Sequence, residues 1–193
     1  ILKKILVQNI YYKIPKFDFF KDDLIESDRK TNFIIKVEQF SLEKGKSYIL
    51  TSKSGAGKSV FLDLLAGLRK PQKGKVSYFS ESGILSRKPK LRYVYQNEEV
   101  LGKNILSYLL GRQIKSLSQV LPNELELIED LRLNLGIDFF PNIKKSSTQY
   151  LQNTFANQFP YSGGQKQRII LWSALIEKPE LIFLDESLSA LDD

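Results

Sequence analysis

The sequence predicts an α/β fold in which a core with a parallel sheet carries an antiparallel β subdomain and an inserted helical subdomain. Three observations lead to this prediction. The short apolar run 47–50 is followed by a glycine-rich turn and a helix-like segment, which indicates a strand, a turn and a helix in succession. Residues 104–157 have apolar side chains at helical spacing. The apolar run 181–184 follows another helix-like segment, and this alternation is typical of a parallel sheet.

The first half of the chain contains further segments with β character. Residues 4–12 and 33–40 alternate in part between apolar and polar side chains, and residues 75–79 and 91–95 are rich in β-branched or aromatic side chains. The segment 15–31 is charged and has no clear period, so we interpret it as an inserted loop. These runs account for the predicted antiparallel subdomain.

The composition is that of an ordinary globular chain, and it excludes several kinds of chemistry. Of 193 residues, 42% are hydrophobic and 26% are charged. The absence of Cys excludes disulfide bonds and thiolate chemistry, and the absence of His removes the commonest general base. Catalysis would therefore depend on carboxylates and a hard metal ion. No run approaches the roughly 18 to 20 apolar residues that span a bilayer, so we expect membrane contact only through a partner.

The net charge of +7 arises from 29 Lys and Arg residues against 22 Asp and Glu residues. Such a bias can indicate nucleic acid, anionic lipid or phosphate ligands. The Lys residues are spread along the chain and form no blocks, which favours a solvated, Lys-rich surface. We therefore expect no direct binding of nucleic acid.

Residues 51–59, TSKSGAGKS, resemble the phosphate-loop motif GxxxxGK[ST] and lie between a predicted strand and a predicted helix. Gly55 and Gly57 allow consecutive N–H groups to point into one concavity, where the helix N-terminus adds positive partial charge. Lys58 would neutralise the β- and γ-phosphates, and the Ser59 hydroxyl would occupy one position around Mg²⁺. The sequence thus predicts a P-loop NTPase core that binds ATP with Mg²⁺. The predicted nucleotide-binding residues of this loop are Ser52, Lys53, Ser54, Gly55, Ala56, Gly57, Lys58, Ser59 and Val60.

The first Gly position of the motif is occupied by Ser52. That glycine serves the turn more than the phosphates, so Ser can replace it if its φ stays negative. A glycine-rich turn with an incidental Lys is the alternative interpretation, but the flanking strand and helix favour the phosphate loop. We therefore expect nucleotide binding to survive the replacement.

An acidic pair, Asp185 and Glu186, follows the apolar strand 181–184. The pair alone is a weak signal, because buried strands end in acidic residues in many α/β proteins. Together with a phosphate loop, it predicts that Asp185 reaches the Mg²⁺ shell and that Glu186 polarises the attacking water as a general base. Adjacent residues of a strand point in opposite directions, so we expect separate roles.

Residues 161–165, YSGGQ, open the helix that precedes this strand. A Ser followed by two Gly at a helix start is a second anion-binding nest, with the Ser162 hydroxyl and the N–H groups of Gly163 and Gly164 as donors. Gln165 completes the run and is predicted to belong to the same nucleotide-binding nest. One chain therefore carries two predicted phosphate sites.

At this point the sequence resembles the ABC-type ATPases. YSGGQKQR matches their LSGGQ signature except for Tyr161 in place of Leu, and SALD at 189–192 looks like their D-loop. The resemblance covers nearly the whole chain, with the motifs in the family's order and spacing. It implies a single ABC ATPase domain over 1–193.

The resemblance also divides this domain into three parts. Residues 1–95 would form the antiparallel β layer and the phosphate-loop core, and residues 96–160 the helical subdomain. Residues 161–193 would contain the signature helix, the Walker B strand and the D-loop. The implied catalytic residues are Glu186, Gln96 and Lys58, and the implied metal ligands are Ser59, Gln96 and Asp185.

Two of the implied roles depend on the resemblance alone. Gln96 looks like the Q-loop glutamine that touches Mg²⁺ and the attacking water, although an exposed Gln at a strand end is unremarkable. Tyr12 resembles the A-loop aromatic that stacks on adenine. The inserted loop supplies rival aromatics in Phe17, Phe19 and Phe20, and any of these could belong to the core.

The resemblance implies that the signature of one subunit closes over the γ-phosphate held by another. A second ATP-binding domain, in a homodimer or heterodimer, would then bind head-to-tail, and hydrolysis would release the two halves. We expect this cycle to power membrane-spanning transporter subunits. These subunits would bind to the helical subdomain and to the groove near Gln96. The domain would lie peripherally at the cytoplasmic face of the cell membrane.

Three features depart from the family pattern. The family usually has a His roughly thirty residues beyond the D-loop, whereas this sequence contains no His, so either a C-terminal part is absent from it or the site lacks that residue. Ser187 replaces the usual Pro after Glu186, which we expect to be mild because it lies beyond the chemistry. The interval from Gln96 to Asn104 is short for an ABC exporter.

Two other functions stay open at this level. A soluble ABC-type ATPase could act on ribosomes or nucleic acid. DNA-repair relatives have a long coiled coil before the signature, which this sequence lacks, and translation-type relatives carry two such domains in one chain. A regulatory domain that binds ATP without turnover is the other alternative, and Glu186 argues against it.

Overall fold

A computed structural model of the chain describes residues 1–13, 34–95, 98–100, 104–146, 150–151 and 161–185. The chain divides into two units, residues 1–90 and residues 91–193. Each unit has its own sheet, and the described residues contain no helix long and apolar enough to cross a bilayer.

The first unit contains an antiparallel sheet and a helix. Its described elements are β1 (Lys4–Lys13), β2 (Ile34–Glu43), α1 (Lys58–Leu65), β3 (Lys73–Ser80) and β4 (Gly83–Ile84). The strand order is β2-β1-β3-β4, and each neighbouring pair is antiparallel. The predicted antiparallel subdomain is therefore confirmed, with the two-residue strand β4 as an addition.

A bulge in β1 keeps its apolar side chains on one face. Ile5 and Val7 are two residues apart and buried, as expected from the alternating faces of a strand. Ile10 is the next buried residue of β1 but lies three positions further on, and the pairing with β3 shifts register between these positions. Asn9 takes a left-handed φ of 51° there. The extra residue of the bulge thus restores the inward direction of Ile10.

Gly74 of β3 approaches this bulge closely. Its φ is 83°, and a Cβ atom at this position would lie 2.3 Å from the carbonyl oxygen of Asn9 and 2.4 Å from that of Gln8. We expect Gly74→Ala to lower the free energy of unfolding by about 3 kcal/mol, because it adds overpacking against backbone atoms to the strain of a left-handed residue. Urea denaturation followed by circular dichroism would measure the loss.

Gly45 provides the matched control for this substitution. Its φ of 77° is similar, but a Cβ atom there would have no neighbour within 4 Å. Gly45→Ala should therefore cost only the backbone strain, about 1 kcal/mol. Equal losses in the two variants would contradict the close approach of Gly74 to β1.

The prediction of a strand at 47–50 is wrong. Residues 46–50 lie outside helices and strands, and Ile49 is 90% exposed. A strand needs a neighbour for its N–H and C=O groups, and no strand pairing among the described residues includes this run. Apolar composition alone therefore did not decide the secondary structure of this segment.

The second unit contains a parallel pair of strands and several helices. Its described elements are β5 (Leu91–Val94), α2 (Ile105–Leu109), a short 3₁₀ helix (Leu117–Gln119), α3 (Pro122–Asn134), α4 (Gly163–Ile176) and β6 (Leu181–Leu184). Strands β5 and β6 pair in parallel, from Leu91 opposite Leu181 to Val94 opposite Leu184. The predicted parallel arrangement is confirmed for these two strands.

The prediction of a helical segment over 104–157 holds in part. Helices α2 and α3 and the 3₁₀ helix lie within it, whereas the described residues 135–146 form turns, bends and irregular chain. Gly136, with a φ of 60°, ends α3, and its N–H donates to the Leu133 carbonyl oxygen at 3.1 Å. Residues 147–149 and 152–157 lie outside the described part of the chain.

Helix α4 packs on α3 through buried side chains. Trp172 of α4 and Ile128 of α3 are fully buried, and the indole N–H of Trp172 donates to the Ile128 carbonyl oxygen at 3.0 Å. The neighbouring Glu129 is also buried, and its carboxylate accepts from the N–H of Ile143 at 2.6 Å and from Arg132 Nε at 3.0 Å. These partners offset the cost of burying its charge. The packing sets the position of α4, whose first residues belong to the predicted signature.

Candidate functional site

The predicted phosphate loop leads directly into α1. Gly55 and Gly57 have left-handed φ values of 74° and 86°, and Gly57 is the N-cap residue of α1 without a side-chain cap. Among the described residues, the non-glycine residues with positive φ are Asn9 and Lys178. Ser52 is not one of them, so it meets the condition under which Ser can replace the motif's first Gly.

The loop is held by a few short-range hydrogen bonds. The N–H of Ala56 donates to the Lys53 carbonyl oxygen at 3.2 Å, and the first helical bond of α1 runs from the Phe61 N–H to the Gly57 carbonyl oxygen at 2.9 Å. Because the N–H groups of Ser59 and Val60 come before this first bond, they have no acceptor within α1. Ser59 is exposed, and the first turn contains no acidic residue. This end of α1 is suited to an anion.

Tyr12 lies in the same unit, near the other end of α1. Its hydroxyl oxygen is 3.4 Å from Arg69 Nη1, and Arg69 Nε is 2.7 Å from the Oδ2 atom of Asp63. The hydrogen bonds that Arg69 donates to Asp63 and, to a smaller extent, to Tyr12 raise the pKa of Arg69, which stays charged. The role of Tyr12 at adenine stays a prediction. Its three rivals, Phe17, Phe19 and Phe20, lie outside the described residues.

The predicted signature begins α4 with a reciprocal cap. Ser162 is the N-cap residue, and its Oγ accepts from the Gln165 N–H at 3.2 Å. The Gln165 Oε1 in turn accepts from the Ser162 N–H at 3.1 Å. These two bonds use the acceptor atoms of both side chains, so the Ser162 O–H and the Gln165 amide N–H groups are the donors suited to a phosphate. Gly163 and Gly164 occupy the first turn.

Tyr161 precedes the N-cap residue Ser162 and packs against aromatic side chains of the segment that follows α3. Its ring centroid lies 6.0 Å from that of Phe139 and 6.2 Å from that of Phe140. The Nη1 atom of Arg168, in the second turn of α4, donates to the Gly136 carbonyl oxygen at 2.9 Å. Tyr161 thus fills an apolar position, as the Leu of the LSGGQ motif could.

Asp185 follows β6 directly, at the end of the parallel pair. Its N–H donates to the Val94 carbonyl oxygen at 3.0 Å, and the hydroxyl of Tyr93 lies 3.3 Å from its Oδ2 atom. The Asp185 side chain is partly exposed. The sequence prediction missed Tyr93, although pairing 91–94 with 181–184 in parallel could have revealed it. Glu186 and the D-loop lie outside the described residues.

Gln96 also lies outside the described residues. The described residues on either side of it in the sequence include members of a charged cluster. Glu98, two positions later, forms an ion pair with Arg92 of β5, and the Nε atom of Arg92 lies 3.6 Å from Glu177 Oε1. Burial, together with the nearby charge of Glu98, raises the pKa of Tyr108 to about 12, so its hydroxyl keeps its proton. No motif in the sequence pointed to this cluster.

Each unit contains one of the predicted metal ligands of the described part of the chain, Ser59 in the first and Asp185 in the second. The Ser59 hydroxyl and the Asp185 carboxylate are hard ligands. Within the described ranges, no three His, Cys, Asp or Glu side chains are grouped so that they could hold a metal by themselves. Mg²⁺ is usually bound by one or two carboxylates together with substrate phosphates and water, so it does not require such a group of side chains.

Comparison with known proteins identifies the relatives of this chain. A family model described as "ABC transporter" matches residues 35–189. The ergothioneine transport ATP-binding protein EgtV of Helicobacter pylori is 33% identical over 169 residues, covering 82% of this chain and 70% of that protein. The phosphonates import ATP-binding protein PhnC of Treponema denticola is 31% identical over 159 residues, covering 79% of this chain and 60% of that protein.

A solved structure shows the same fold. It is a bacterial Atm1-family ABC exporter with ATP bound, and it matches this chain with a TM-score of 0.63. The match covers 100% of this chain and 30% of the exporter chain, at 21% identity. At this identity the likeness concerns the fold alone, and it confirms the α/β fold class predicted from the sequence.

Proposed function

Because the chain belongs to the ABC transporter family as a nucleotide-binding domain, we propose that it binds ATP with Mg²⁺, hydrolyses the ATP and powers transport through membrane-spanning partner subunits. Family membership identifies the domain as an ATPase. The two curated relatives are named as transport and import ATP-binding proteins, which supports the role in transport. We place the domain peripherally at the cytoplasmic face of the membrane, next to its partners.

The conformation of the phosphate loop is the observation that best supports the proposal of ATP binding. Gly55 and Gly57 have the left-handed backbone that a phosphate cradle requires, and α1 begins at Lys58 with an uncapped first turn. In this proposal Lys58 contacts the β- and γ-phosphates. The N–H groups of the loop contribute the remaining donors.

Ser59 and Asp185 are the proposed magnesium ligands among the described residues. The first is exposed at the start of α1, and the second is partly exposed at the end of β6. When bound, Mg²⁺ neutralises negative charge on the phosphates. The side chains supply oxygen donors, and the Tyr93 hydroxyl leaves one Asp185 carboxylate oxygen, Oδ1, for that purpose.

Hydrolysis is assigned to Glu186 as the general base and to Gln96 as a residue that contacts the attacking water. This assignment is supported by their positions in the sequence motifs, directly after Asp185 and directly after the strand region 91–95. A carboxylate can take the water proton as the bond to the γ-phosphate forms.

The nest at the start of α4 is proposed to serve ATP that is held by a second ATP-binding domain. The cap geometry supports this role, because Ser162 and Gln165 satisfy each other's acceptor atoms and keep donors for a phosphate. Two domains would bind head-to-tail, in a homodimer or a heterodimer. Loss of the γ-phosphate would remove the contact that holds the signature of one domain to the nucleotide of the other.

Purification from membranes tests the coupling to transport. An affinity-tagged full chain, extracted from membranes in detergent, should co-purify in constant stoichiometry with a multispanning protein that mass spectrometry identifies. The Lys58→Ala variant should still co-purify with this partner, because the substitution affects contacts with the nucleotide and not contacts with the membrane-spanning protein. Recovery of the chain only with ribosomal proteins or nucleic acid would contradict a transport function.

A further inference from the structure

We propose that Tyr93 is a positioning residue that orients the carboxylate of Asp185 for magnesium. The inference rests on the proposed function, in which Asp185 is a magnesium ligand. It adds a residue that belongs to none of the sequence motifs and that lies on the strand adjacent to Asp185 in the sheet.

Strand β5 holds Asp185 at two points. The Asp185 N–H donates to the carbonyl oxygen of Val94 at 3.0 Å, which continues the parallel pairing beyond β6. The Tyr93 hydroxyl donates to the Oδ2 atom of Asp185 at 3.3 Å. Consecutive residues of β5 therefore hold the backbone and the side chain of the same aspartate.

Tyr93 is itself held in place by its surroundings. Its side chain is 5% exposed, its ring stacks on that of Tyr95 at a centroid distance of 4.5 Å and an angle of 25°, and it lies 6.0 Å from the ring of Phe183. Phe183 is also its opposite residue in the parallel register. A ring packed on two sides directs its hydroxyl to a defined place.

The hydrogen bond gives the two carboxylate oxygens of Asp185 different roles. Oδ2 accepts the proton of Tyr93, and Oδ1 is available to a hard cation. Hydrogen bonds to a ligating carboxylate fix its orientation, and the loss of such a bond typically costs 10- to 100-fold in metal affinity. Without it, the Asp185 side chain would have to be ordered by the metal itself.

The test measures how Mg²⁺ affects nucleotide binding in the full chain. The affinity for a fluorescent ATP analogue is determined across a Mg²⁺ titration and in EDTA. For Tyr93→Phe, the half-saturating Mg²⁺ concentration should rise roughly 10-fold, while the affinity in EDTA stays that of the wild type. Tyr95→Phe is the matched control, because it removes a hydroxyl from the same stacked pair without affecting Asp185, and it should behave as the wild type.

Asp185→Asn distinguishes failure of this inference from failure of the proposed function. If Asp185→Asn leaves the Mg²⁺ response unchanged, the assignment of Asp185 as a ligand fails. If Asp185→Asn weakens the response but Tyr93→Phe does not, only the positioning role is overturned. Tyr93→Phe should add nothing in the Asp185→Asn background. An equal loss of affinity with and without Mg²⁺, together with a lower Tm, would show that Tyr93 has a purely structural role and would overturn the inference.

Discussion

Glu186→Gln is expected to slow ATP hydrolysis by roughly 10²- to 10⁴-fold, because the amide cannot take a proton from the attacking water. The substitution keeps the size of the side chain and leaves the phosphate loop unchanged, so ATP binding should be retained. ATP would then stay bound between two domains, and size-exclusion chromatography with ATP and Mg²⁺ should show a dimer. Phosphate release measures the loss of turnover in the same preparation. Glu126→Gln, the same change at an exposed position of α3, should have neither effect.

Two substitutions of Ser162 test whether the trapped dimer depends on the predicted signature. In the Glu186→Gln background, Ser162→Asn and Ser162→Asp both supply a good N-cap for α4, so both should keep the helix stable. Only the Asp side chain places a negative charge beside the γ-phosphate, so only Ser162→Asp should abolish the ATP-dependent dimer. A chain that stays monomeric in Glu186→Gln, or a dimer that survives Ser162→Asp, would contradict the proposed head-to-tail arrangement.

Lys58→Ala is expected to weaken ATP binding by about 100-fold or more. The Lys58 ammonium would make charge-assisted contacts to two phosphates, each worth roughly 1.5 to 3 kcal/mol, and about 1.4 kcal/mol corresponds to a tenfold change in Kd. The change lies at the first residue of α1, whereas its buried residues, Leu64 and Leu65, are the last two, so the fold should be retained. Equilibrium binding of a fluorescent ATP analogue measures the effect.

Lys70→Ala controls for the loss of a positive charge. Lys70 is exposed and lies beyond the C-terminal end of α1, away from the phosphate loop along the helix. This variant should bind ATP as the wild type does. Unchanged affinity in Lys58→Ala, or an equal loss in both variants, would show that the phosphate loop is wrongly assigned.

The motifs could be predicted because their physical requirements are local. The loop sequence predicted that Gly55 and Gly57 allow the backbone an unusual turn, and in the structure both glycines have left-handed φ values. The capping pair Ser162 and Gln165 is separated by three residues, which is the spacing of a helix N-cap and its partner. A pattern within one turn of chain carries its own conformational preference, so no knowledge of distant contacts was needed.

Where the outcome depended on distant partners, the sequence prediction was incomplete. The run 47–50 had the apolar composition of a strand but has no pairing neighbour among the described residues. The bulge at Asn9 lies directly against Gly74, which belongs to a different strand. Neither residue predicts a bulge by itself, because an isolated Asn or Gly is compatible with many turns.

The sequence by itself determined the family, and it also predicted residues for ATP binding, because the phosphate loop, the signature and the acidic pair each need particular residues at adjacent positions. Only the tertiary structure placed Tyr93 against Asp185, 92 residues away, and Arg92 against both Glu98 and Glu177. For Tyr93 and Asp185 the physical reason is the parallel pairing of β5 with β6. That pairing aligns residues from opposite ends of the second unit, and neither strand encodes its register or its partner in its own side chains.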